Sequence, residues 1–123
     1  MIIVGEVLDV RSEWNANRSI IFTYVTVSVE EYIKGSSLVK EIKVKNLGGI
    51  VDEIGSLVPD SPSFRKGEKV LLFLQSDRYS ECFWVVDQVY GKLTVTKENK
   101  IIGYGVSLEE FTHRIKEYIA KKK

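Results

Sequence analysis

Cysteine is nearly missing from this chain. Cys82 is the only one in 123 residues, so no disulfide forms within the sequence and the fold must rest on a packed core. His113 is the single histidine. One imidazole and one thiol fall short of the several ligands a zinc or iron site gathers, so no metal and no cofactor is expected. Long hydrophobic runs are absent too, since no apolar stretch approaches the roughly 20 residues that cross a bilayer. An excess of either charge is also missing. The 18 Lys and Arg nearly balance 17 Asp and Glu, for a formal charge of +1. A near-neutral chain lacks the broad cationic surface that a phosphate backbone demands, so nucleic acid is disfavoured as a partner.

What remains suits one domain. The chain is 44% hydrophobic, and a protein of this size removes about two thirds of its extended-chain surface from water on folding. Residues 1–123 contain no Pro-, Gly- or Ser-rich linker and no repeat at solenoid spacing, so a single domain is expected. Strands are predicted at 2–11, 20–33, 41–47, 68–75, 82–88 and 92–96, with a further short one at Lys100 to Tyr104 as an option. The clearest is 20–33, where Ile21, Thr23, Val25, Val27 and Val29 alternate with Phe22, Tyr24, Thr26, Ser28 and Glu30. The adjacent acids Glu30 and Glu31 break that alternation, and fourteen residues is long for a strand, so a bulge is expected there. Lys34 to Ser37 read as a turn, and residues 50–67 as a surface connection in which Ile50, Val51, Ile54 and Leu57 pack a short element. Pro59, Pro62 and Gly67 punctuate it. Glu68 to Gln75 is apolar on both faces, which implies a strand covered from two sides.

The C-terminal segment predicts a helix over 108–121. Ser107 and Glu110 have capping-box spacing, Val106 and Phe111 sit at the positions of a hydrophobic staple, and Leu108, Phe111, Ile115, Tyr118 and Ile119 form one stripe. Glu109 and Glu110 at its start, and Lys121 to Lys123 at its end, complement the helix dipole. The natural partner of the stripe is the doubly apolar strand at Val70 to Leu74. Together these parts give a mostly β fold with one C-terminal α-helix. It is read as an OB-like antiparallel barrel of five or six strands, the alternative being a curled sandwich with the helix on one side.

The order V-G-E-V, a long strand ending Y-I-K-G (Tyr32 to Gly35), the pair Gly48 and Gly49, P-x-F-x-x-G-E-K-V-L-L-F-L (Pro62 to Leu74) and a terminal S-L-E-E-F resembles a group of small microbial domains in exported proteins. It is similar, more loosely, to the netrin-like and metalloproteinase-inhibitor domains of OB type. The resemblance implies an exported β-barrel domain. Met1 leading directly into a strand implies no leader, so an extracytoplasmic location requires a trimmed leader and the alternative is the cytoplasm. The chain departs from the inhibitors where they act, lacking their N-terminal cysteine and the other cysteines.

No catalytic constellation is evident. Cys82 has no histidine at a recognisable spacing and reads as a buried structural thiol, and His113 as a solvated surface residue off the apolar stripe. Gly48 and Gly49 lack the Gly-Lys-Ser/Thr ending of a phosphate loop. The carboxylate pairs Glu30 with Glu31, Asp52 with Glu53 and Glu109 with Glu110 are chain neighbours, not facing partners. The chain is therefore expected to be no enzyme, but a binding or protein-interaction module with an unidentified protein partner. A single-stranded nucleic-acid binder of OB type is the alternative. The candidate surface for a ligand or partner is Trp14, Phe22, Tyr24 and Tyr32.

Overall fold

The structure is a computed structural model describing residues 1–36, 39–56 and 61–121. Ser37, Leu57, Pro59, Lys122 and Lys123, which figure in the expectations above, lie outside the described residues. In chain order the elements are β1 (Ile2–Trp14), β2 (Ile21–Lys34), β3 (Glu41–Leu47), β4 (Gly49–Val51), β5 (Ile54–Ser56), β6 (Lys69–Ser76), β7 (Phe83–Val85), β8 (Lys92–Val95) and α1 (Leu108–Lys121). A 3-10 turn spans Gln88–Gly91. Among the described residues no helix is long and apolar enough to cross a membrane.

Six strands form one curled sheet in the order β1-β2-β3-β7-β6-β8, and β1 pairs also with β6, so five of them run in a ring. This matches the mostly β expectation in its curled-sheet form. The expectation of a wholly antiparallel sheet needs correction at one junction: β3 and β7 are parallel and meet through the single pair Val44 with Phe83. The reason is arithmetic. Strands in a ring can alternate direction all round only if their number is even, and here it is five.

Inward positions on these strands build one core from Ile3, Val7, Val25, Val27, Val44, Val70, Leu72 and others. A second cluster lies on the outside of the β1-β6-β8 wall, where Ile2, Val4, Leu71, Leu93, Val95 and Ile101 receive Val106, Leu108, Phe111, Ile115 and Ile119 from α1 and its approach. The doubly apolar β6 is thus covered on both faces, Leu72 by the ring and Leu71 by the helix. Ser107 caps α1 through the Glu110 amide, which donates to its Oγ at 3.1 Å. The Glu110 carboxylate accepts from Arg114 one turn on, at 2.7 Å.

The expected bulge is present. Val4 faces Glu31 and Gly5 faces Val29, leaving Glu30 as the extra residue of β2. Two expectations shift. The strand 82–88 stops at Val85, because Asp87 and Gln88 take left-handed backbone (φ 59° and 55°) and turn the chain into the 3-10 segment. Within 50–67, β4 and β5 form a hairpin, but Ile50 and Ile54 stay exposed instead of packing on the body. Lys100 to Tyr104 contributes only isolated bridges.

Candidate functional site

Cross-strand register decides which side chains share the outer face of β1, β2 and β3. Directly opposed residues point to the same side of a sheet, and the register aligns Glu13 with Phe22 and Leu47, Arg11 with Tyr24 and Lys45, and Asp9 with Thr26 and Lys43. Phe22 and Tyr24 therefore stand side by side on the outside of the ring, while Val25 and Val27 point into it. The β3–β7 junction adds Trp84, whose ring meets Phe22 edge-on at 6.3 Å and 71°.

Lys45 sits among these rings. Its ammonium lies 4.4 Å from the centroid of Phe22, 5.6 Å from Trp84 and 5.9 Å from Tyr24. An ammonium over a ring face is attracted by the ring quadrupole, so the three aromatics hold the lysine in place, two of them, Phe22 and Trp84, packing on one another. Beside them a hollow of about 280 Å³ is lined by Arg11, Tyr24, Thr26, Lys43 and Cys82. A second hollow, of about 700 Å³, opens between the start of β3 and residues 81–83, with Glu41, Lys43, Glu81, Cys82 and Phe83 on its walls.

Of the four residues the sequence proposed, the structure brings two together. Tyr32 lies past the bulge, where the alternation has slipped by one. It packs on the inner core and donates its hydroxyl to the Val39 carbonyl at 3.1 Å. Trp14 is opposite Ile21 at the far end of β1, on the other face from Phe22. Sequence reasoning missed Trp84, Lys45, Lys43 and Arg11. The alternation of Lys43 and Lys45 marks a wet face of β3, but only the pairing with β2 shows that this face carries the aromatics.

Cys82 is half-buried at the lip of both hollows, less enclosed than the structural thiol expected. His113 is exposed and pairs with Glu117 at 3.1 Å, as a solvated surface residue does. Gly48 and Gly49 have φ of 90° and 134° and make the turn into β4. Among the described residues no group of His, Cys, Asp and Glu could hold a metal ion. A further hollow, about 820 Å³ beside the start of α1, is crossed by two ion pairs, Lys116 with Glu31 at 3.1 Å and Lys69 with Glu30 at 3.8 Å.

Asp77 borders the aromatic cluster, and its carboxyl is held below the usual aspartate value of 3.8. The chief cause is the Ser80 hydroxyl, which donates to Oδ2 at 2.5 Å, with smaller help from the Trp84 indole, the Tyr79 amide and the Lys45 charge. A depressed carboxylate pKa stabilises the fold above the unfolded value, and the contribution is lost as pH falls through the folded one. Carbon-detected NMR titration is expected to place Asp77 below an ordinary aspartate and to move it up in Ser80→Ala. An unchanged value in that variant would break the attribution.

Compared with protein-family models, curated proteins and solved structures, the chain matches none of them.

Proposed function

We propose that this chain is a non-catalytic interaction module that receives a protein partner on the outer face of β1, β2 and β3. The observation that carries the reading is the grouping of Arg11, Tyr24, Phe22 and Lys45 on one face, joined by Trp84 at the thin β3–β7 junction. Tryptophan, tyrosine and arginine dominate the energetics of protein interfaces, because each buries a large area while keeping a polar tip that stays hydrogen-bonded. Around them Asp9, Glu13, Glu41 and Glu81 interleave with Lys43. A polyanion is repelled by those carboxylates, whereas a protein surface of mixed charge can match them.

The alternative retains one favourable observation. Cations do stand among the aromatics, as they do on single-strand binding sheets. One experiment addresses both readings. Arg11→Glu combined with Lys43→Glu alters two exposed side chains and is expected to leave the melting temperature unchanged. Immobilised wild-type protein is expected to retain a partner from an extract of its native cell that the double variant releases. Identical retention by the two proteins defeats the proposal, and salt-sensitive micromolar binding of an oligothymidylate transfers the face to nucleic acid.

A further inference from the structure

A second site lies on β8, the 3-10 turn and the loop before α1, and shares none of its lining residues with the face above. Local sequence sets its shape. After Val85, Asp87 and Gln88 take consecutive left-handed conformations, which residues bearing a Cβ adopt only where the surroundings hold them there. Gly91 then closes the turn against the strand. A methyl group at that position would lie 1.9 Å from the Val86 carbonyl oxygen, so no other residue fits without moving backbone. The outcome is to hold Val89 and Tyr90 outward. On the opposite side Gly103 and Gly105, with φ of 89° and 67°, frame Tyr104, whose ring leans on Phe111 at 5.8 Å.

Tyr90 is 75% exposed and Tyr104 59%, and Val86, Val89 and Ile102 are exposed nearby. Apolar and aromatic surface gathered in one place on a small protein marks a contact site more often than scattered single residues do. Between the tyrosines is a hollow of about 250 Å³, bounded by Val89 and Ile102, with Lys92, Leu93 and Thr94 as its floor. That lies just below the roughly 300–1,000 Å³ of drug-sized ligand sites, which suits one six-membered ring with its hydroxyls better than a long peptide.

Charge narrows the ligand. Among the described residues of the lining Lys92 alone is charged, and its ammonium is taken by Glu68 at 2.9 Å and by the Ser63 carbonyl. The Thr94 hydroxyl also donates to Glu68, at 3.1 Å. The hollow thus offers two tyrosine side chains and aliphatic walls, with the one charge in its lining among the described residues already neutralised. A flat, uncharged ligand with apolar C–H faces and a rim of hydroxyls meets those terms. We propose that the hollow between Tyr90 and Tyr104 binds a neutral pyranose unit of an oligosaccharide, stacked against the two phenol rings.

The test is a titration of the full chain, followed by amide NMR shifts and by calorimetry. The probes are cellotetraose, xylotetraose, maltotetraose and chitotetraose, with decaproline as the peptide comparison. At least one sugar is expected to move the amides of Val89 to Gly91 and Gly103 to Gly105, with a millimolar or tighter dissociation constant. Tyr90→Ala and Tyr104→Ala are each expected to weaken it about tenfold or more, while Tyr90→Phe retains it; both Tyr90 variants keep the wild-type melting temperature, and Tyr104→Ala, which loses its contact with Phe111, is checked as folded by its amide spectrum before titration. No shift with any of the four sugars at millimolar concentration overturns the proposal. So does a response to decaproline alone, or binding that survives loss of both tyrosines. None of these outcomes depends on the β1–β3 face.

Discussion

Ending the chain before Ser107 is expected to abolish cooperative unfolding. Removal of α1 exposes the cluster formed by Ile2, Val4, Leu71, Leu93, Val95 and Ile101, and takes away Leu108, Phe111, Ile115 and Ile119, which cover it. Each large apolar side chain contributes about 1.5–3 kcal/mol on full burial. Four partly buried ones therefore contribute a sum comparable with the roughly 5–15 kcal/mol by which a whole domain is stable. Ile115→Asp in the intact chain is expected to act in the same direction, because a carboxylate cannot enter that cluster without losing its water. Calorimetry and circular dichroism provide the check. A truncated chain with a sharp melt at the wild-type temperature would mean the helix contributes nothing to the sheet.

The second large effect separates the two cores. Leu71 and Leu72 are adjacent and fully buried, and they face opposite ways, Leu71 toward the helix and Leu72 into the ring. Replacement of either by Ala is expected to cost about 2–5 kcal/mol, as lost transfer energy plus a residual cavity. The two differ in what they are coupled to. In an Ile115→Asp background the Leu71→Ala penalty should shrink, because its partner surface is already disrupted, whereas the Leu72→Ala penalty should stay the same. Denaturant midpoints of the single and double variants measure this. Equal coupling of both leucines to Ile115 would contradict the assignment of separate faces.

Much of this architecture was legible because its signals are local. The alternation of β2, the doubly apolar β6 and the striped α1 each lie within one stretch of chain, and all three elements form where expected, although Glu110 pairs with Arg114 instead of completing the capping box and Tyr118 of the stripe stays exposed. The bulge was legible for the same reason, from two neighbouring acids on a strand too long to stay regular. Its consequence was not. The bulge itself removes Tyr32 from the face of Phe22 and Tyr24, so an alternation counted straight through Glu30 assigns that residue wrongly. The candidate site was legible only in part. Phe22 and Tyr24 belong to one strand, but their meeting with Lys45 and Trp84 depends on register between β2 and β3 and on ring closure, which brings in a strand about sixty residues further along the chain. β7 is three residues long, too short for any periodic pattern, and the left-handed pair that ends it carries no glycine to announce it.

The odd number of strands has one more consequence. The ring behaves as a collar with a clasp: every other joint is a ladder of several pairs, while the clasp has one ladder pair, Val44 with Phe83, backed by side chains. Trp84 and Lys45 each follow one side of that contact in the chain, so anything gripping both also fastens the collar. Occupancy at this spot and resistance of the whole circle to opening are then linked by mass action, each strengthening the other.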